Sequence, residues 1–104
     1  MSESRFEMLV GLEVLDEERY AEYRAAMKPI LHRMGGRFTC DFRVGGVLTE
    51  DVTGEVDARI NRVFVLSFPD EGVKEAFFGD AGYARVREEW FEGAVGVVRV
   101  LFER

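Results

Sequence analysis

The sequence predicts an α+β domain in which a four-stranded antiparallel sheet carries its helices on one face. Two observations predict it. An extended apolar run, an amphipathic helix and a second extended run follow one another from Phe6 to Val44, and the same order returns from Asn61 to Phe102. Doubling that phrase gives the order β-α-β-β-α-β. The chain of 104 residues is long enough for one core without disulfide or metal, and no linker or low-complexity stretch divides it, so residues 1–104 read as a single domain.

The first strand runs from Phe6 to Leu15, with Met8, Val10, Leu12 and Val14 on one face and Glu7, Leu9, Gly11 and Glu13 on the other. Asp16 is placed to cap the following helix, Glu17 and Glu18 suit its positive end, and Leu15 and Tyr20 hold the two positions of a hydrophobic staple. That helix is expected to reach Met34, with a kink at Pro29, and to stop at Gly35-Gly36. Arg37 to Val44 alternates Arg37, Thr39, Asp41 and Arg43 against Phe38, Cys40, Phe42 and Val44, the pattern of an edge strand with one buried face. Gly45 to Asp57 is turn-rich and polar, with Val47-Leu48-Thr49 as a short extension of the hairpin.

Asn61 to Phe68 is apolar on both faces, as a central strand is. Pro69 and Asp70 open a short helix carrying Val73, Ala76 and Phe77; Gly79-Asp80 interrupts it, and Asp80 caps a second piece from Ala81 to about Phe91. A valine-rich strand from Ala94 to Phe102 closes the sheet, with Val95, Val97 and Leu101 set opposite Val98, Val100 and Phe102.

Composition removes several function classes. A net charge of −6 without a local Lys/Arg cluster excludes a nucleic-acid footprint. No apolar run approaches the ~20 residues of a membrane helix, and Met1-Ser2-Glu3-Ser4-Arg5 does not open a signal peptide. One cysteine, Cys40, leaves no internal disulfide and suits a reducing compartment; it reads as a small buried hydrophobe, and a cytoplasmic location is expected. One His and one Cys do not build a zinc site of the usual kinds, and neither Gly35-Gly36 nor Gly45-Gly46 belongs to a phosphate-binding glycine motif. No metal and no cofactor are expected. His32 reads as a surface side chain near a helix end.

Two arginines are out of place. On a wheel of about 100° per residue, Tyr20, Tyr23, Met27, Ile30, Leu31 and Met34 form the apolar stripe of the first helix, and Arg24 falls inside it. On the last helical piece Arg87 falls between Trp90 and Phe91, beside Tyr83 and Val86. A guanidinium on an apolar face needs acceptors, because an unpaired buried charge costs several kcal/mol. Either an internal carboxylate supplies them, Asp41 first, or a small organic anion does. The candidate ligand-binding residues are therefore Arg24, Arg87, Asp41, Tyr20, Tyr23, Tyr83 and Trp90.

Glu22-Tyr23-Arg24, Gly35-Gly36-Arg37, Phe68-Pro69 and Gly82-Tyr83 stand in an order and spacing that resembles a bacterial family of uncharacterised proteins, domain-of-unknown-function family thirteen-thirty of the dimeric α+β barrel superfamily. The resemblance covers nearly the whole chain; it departs where relatives carry His before the Gly-Gly pair and this chain has Met34. It implies a ferredoxin-like fold and a homodimer, which the strands apolar on both faces also call for. It also implies kinship with cofactor-independent monooxygenases, isomerases and lyases. A small enzyme of that type acting on an organic anion, with Tyr20, Tyr23, Tyr83 or Asp41 moving a proton, is one expectation. A non-catalytic small-molecule-binding or dimeric scaffold module is the other.

Overall fold

Alternation along the strands and a 3.6-residue period along the helices produce eight elements. They are β1 (Phe6–Val14), α1 (Glu17–Arg33), β2 (Arg37–Arg43), β3 (Arg62–Phe68), α2 (Glu71–Phe78), α3 (Ala81–Val86), a π-helical turn (Arg87–Phe91) and β4 (Val95–Glu103). The computed structural model describes residues 5–48 and 58–104. The antiparallel sheet has the order β2-β3-β1-β4, so the strands read as central and as edge take those places. Met8, Val10, Leu12 and Val14 of β1 and Phe64, Leu66 and Phe68 of β3 face the helices and form the core with Tyr20, Tyr23, Met27 and Leu31 of α1. Among the described residues no helix is long and apolar enough to cross a membrane.

Asp16 caps α1 by accepting the Arg19 N–H at 3.0 Å, worth about 1 kcal/mol. The staple expected beside it is not made. Leu15 is 62% exposed, because its N–H and that of Asp16 bond to the Ala94 carbonyl and turn the side chain toward Gly96 of β4. The helix passes through Pro29 and ends with Met34 as its cap residue. Gly35, at φ +83°, then donates to the His32 carbonyl, and Gly36 to that of Leu31, the paired bonds of a Schellman motif. Just before β1, Arg5 fixes this corner, donating to the Gly35 carbonyl at 2.8 Å and the Ser67 hydroxyl at 2.7 Å.

The expected alternation of β2 fails at its middle. Phe38 pairs with Leu66, but Cys40 pairs with Val65 and Asp41 with Phe64, so a bulge at Thr39 shifts the strand by one residue. A one-residue slip exchanges the two faces. Asp41 and Arg43 consequently share the helix side with Phe38, while Cys40 and Phe42 face away, and Cys40 is half-buried rather than buried. Similar shifts at Gly96 and Leu101 of β4 place Val95, Val98 and Val100 on the helix side and Val97 and Phe102 on the other. Val47 and Leu48 lie outside any strand; Thr49 and the rest of that turn to Asp57 lie outside the described residues.

Asp70 and Asp80 cap α2 and α3 through the N–H groups of Val73 and Tyr83. The second helical connection is thus broken where Gly79-Asp80 predicts. Its last turn is wider than an α-helix, with the Glu92 N–H reaching the Arg87 carbonyl.

Candidate functional site

A connection broken into three short pieces covers the sheet incompletely. On its helix side Val98 and Val100 of β4 remain 49% and 46% exposed, and with Met8, Val10, Leu12, Phe64 and Leu66 they floor an apolar cleft of about 260 Å³. Its walls are Tyr23 of α1, Phe78 at the end of α2, Tyr83 of α3, and Arg87 and Phe91 of the π-turn. The Tyr23 and Tyr83 hydroxyls meet there at 2.8 Å, buried, and the Tyr23 ring lies 4.8 Å from that of Phe91. Burial pushes the Tyr23 phenol well above its ordinary value, with Tyr83 and then Tyr20 adding to the effect and Arg87 opposing it, so Tyr23 stays protonated and neutral.

Among the described residues Arg87 is the one cation lining the cleft, with its guanidinium 4.5 Å above the Phe91 ring. Among the described residues it has no hydrogen bond and no ion pair; Glu88 and Glu92 share an outer depression with it but do not pair with it. An apolar slot with one unpaired guanidinium and two hydroxyls fits a ligand with an apolar body and an anionic group.

Arg24 behaves differently. Its guanidinium packs 3.8 Å over the Phe38 ring, donates to the Tyr20 hydroxyl at 3.1 Å, and gives two bonds, of 2.7 and 3.2 Å, to one oxygen of Asp41. The second Asp41 oxygen accepts the Arg62 Nε–H at 3.1 Å, and Arg62 reaches Glu17 at 3.5 Å. Burial would lower the Arg62 pKa, but the bond and charge of Asp41, with Tyr20 and Glu17, raise it overall. Burial also pushes the Tyr20 phenol up to about 12, against the pull of Arg24 and Arg62 and with the help of Asp41 and Glu17.

The seven candidates therefore divide. Tyr23, Tyr83 and Arg87 meet in the cleft, whereas Arg24, Asp41 and Tyr20 meet in a polar cluster between α1 and β2. The clusters touch through the Tyr20 and Tyr23 rings, stacked with centroids 5.7 Å apart. Trp90 joins neither. It is half-buried against the core and stacks under the Arg19 guanidinium, 5.5 Å away, and Arg19 also donates to the Glu89 carbonyl. Trp90 lies on the apolar side of its turn, as the wheel has it, but it does not line the cleft. His32 is exposed, and among the described residues no three of His, Cys, Asp and Glu converge as metal ligands.

Arg62 and Phe91 are the residues that a search for misplaced arginines overlooks. Arg62 lies in phase with Phe64, Leu66 and Phe68, so the two-residue period of β3 already aims it at the helices. Phe91, named only as part of an apolar stripe, supplies the surface on which Arg87 rests.

Residues 8–102 match the model of a family described as Domain of unknown function (DUF1330). No curated protein sequence matches the chain. Among solved structures it is similar to a protein of unknown function from Rhodopseudomonas palustris, with a TM-score of 0.76 at 19% identity over 99% of this chain and 82% of that one. It is also similar to a dimeric ferredoxin-like protein of unknown function from Jannaschia sp., with a TM-score of 0.63 at 17% identity over 97% and 98% of the two chains. A hydroxynitrile lyase from Passiflora edulis matches with a TM-score of 0.61 at 14% identity, over 99% and 95%. These likenesses establish the ferredoxin-like α+β fold.

Proposed function

The chain belongs to the DUF1330 family, and from that membership and the shape of the cleft we propose a small cofactor-independent enzyme acting on a small organic anion. One observation carries the reading: Arg87 stands at an apolar cleft with no acidic partner among the described residues, beside a buried pair of phenols. Arg87 binds the anionic group and Phe91 holds the guanidinium in place. The neutral Tyr23 hydroxyl, oriented by Tyr83, donates a hydrogen bond to a substrate oxygen on which negative charge develops, a form of stabilisation that counts most where water is excluded. Such assistance serves monooxygenase, isomerase and lyase chemistry alike, and the likeness to a hydroxynitrile lyase supports it by analogy of fold.

A specific observation favours a second reading, a binding module without catalysis: among the described residues neither a carboxylate nor a histidine lines the cleft to serve as an ordinary general base. In either case the sheet face away from the helices, where Leu9, Val63 and Val65 lie with Phe42 and Phe102, suits a second copy of the chain packed sheet to sheet.

A thermal-shift screen of small carboxylates at fixed ionic strength tests the cleft. A ligand at 100 times its Kd should stabilise the wild type by about 2.7 kcal/mol. Arg87→Met should fold and sediment as the wild type does, as two chains, and lose that response. A screen in which no carboxylate acts beyond the effect of chloride would refute the site. Turnover of a bound ligand that disappears in Tyr23→Phe separates the enzyme from the binding module.

A further inference from the structure

The polar cluster has more donors than its own carboxylates can take. Each guanidinium carries a full fork of N–H donors. Among the described residues Arg24 and Arg62 together make five hydrogen bonds, to Tyr20, Asp41 and Glu17, the last at a long 3.5 Å. The rest of both forks has no acceptor among those residues. The two side chains are only 11% and 16% exposed, and what is exposed faces a single depression. Phe38 under Arg24 and Tyr20 under Arg62 fix the two planes.

Above them lies a depression of about 400 Å³ with room left by Ala21 and Ala25 of α1. Lys28 and Arg43, with the carboxylate of Glu17 beside them, complete its rim. Lys28 has no ion pair among the described residues, and Arg43 has one, to Glu17 at 3.8 Å. Four cations thus surround two carboxylates in a chain whose net charge is −6. That local surplus is built on three elements, and two of its cations, Arg24 and Arg62, are held in place by Asp41, as suits recognition of a doubly charged oxyanion.

We propose that this depression is a second ligand site, separate from the cleft, that binds the phosphate group of inorganic phosphate or of a phosphate monoester. Arg62 and the free part of the Arg24 fork hold the group from below, while Lys28 and Arg43 close on it from the rim. The depression is open, so an ester's organic part stays in solvent. The site stands independently of the cleft reading, because it shares no cation with Arg87.

Calorimetric titration of the whole chain with inorganic phosphate, against chloride at equal ionic strength, tests it, with phenyl phosphate as the ester arm. Saturable phosphate binding is expected. The double variant Lys28→Ala/Arg43→Ala leaves the Arg24–Asp41–Arg62 bonds in place and should fold, and it should weaken the Kd at least roughly tenfold, the loss of one charge-assisted hydrogen bond. Arg87→Met should leave the phosphate Kd unchanged. Phenyl phosphate binding at least as tightly as phosphate identifies a monoester ligand; weaker binding identifies the free ion. The proposal is overturned if phosphate acts no differently from chloride, if the double variant binds as the wild type does, or if Arg87→Met abolishes binding, which would place the anion in the cleft.

Discussion

Asp41→Ala should be the most damaging substitution outside the apolar core. The carboxylate is 32% exposed, but it holds two guanidiniums that are far less so, Arg24 through one oxygen and Arg62 through the other. Removing one partner of a buried pair costs about 3–5 kcal/mol, because the charge left behind has lost its solvation as well. The exposure of Asp41 and the escape of Arg62 toward Glu17 reduce that to about 2 kcal/mol here. In a domain of this size such a loss lowers Tm by about 10 °C at constant protein concentration. Urea unfolding gives the free energy directly. Arg24→Met should cost less than Asp41→Ala, since it removes the cation instead of orphaning it, and in that background Asp41→Ala should cost less than it does alone. If Asp41→Ala stays within about 0.5 kcal/mol of the wild type, the two arginines are solvated without it and the account of the polar cluster is wrong.

The phenol pair should show strong coupling. Tyr23→Phe or Tyr83→Phe alone leaves one buried hydroxyl without its partner and should cost about 1–3 kcal/mol, whereas the double Phe variant should be less destabilised than the two losses added; strict additivity would argue against the 2.8 Å bond. Alkaline stability should also reveal Tyr20. Its folded pKa of about 12 exceeds the ordinary 10.0, so the folded state keeps a proton that the unfolded state releases. The stability this contributes is complete below about pH 10 and is lost as pH rises towards 12. Absorbance of phenolate in the folded protein should therefore lag behind that of free tyrosine, and a normal titration of every tyrosine would contradict the packing described.

What could be read from the sequence was local. The Asp16 cap, the Gly35-Gly36 stop and the four inward residues of β1 each depend on neighbours within one turn or one pleat, and all are present. Asp41 shows where that reading ends. Its partnership with Arg24 could be anticipated from charge, but its side of the sheet could not, since pure alternation set it opposite Phe38 and an unpaired Thr39 reversed the order. Nothing in the residue types around Thr39 marks it as the extra one. Tyr23 and Tyr83 were each visible as residues of an apolar stripe, but their hydroxyl contact spans 60 positions of chain, and only the packing of α1 against α3 creates it.

Arg5 has a practical consequence for anyone who trims this chain. The family match begins at residue 8 and ends at residue 102, and those limits invite an expression boundary. A fragment cut there would discard the side chain that ties Ser67 to the end of α1, the Phe6–Phe68 pairing, and both backbone bonds between Glu7 and Arg104, at 2.8 and 3.0 Å. Two neighbouring strands would fray from the same end of the sheet, next to the first strand turn of the core. Contacts that hold the sheet thus extend beyond the stretch that sequence comparison recognises, and minimal versions of the domain should start no later than Arg5 and keep Arg104.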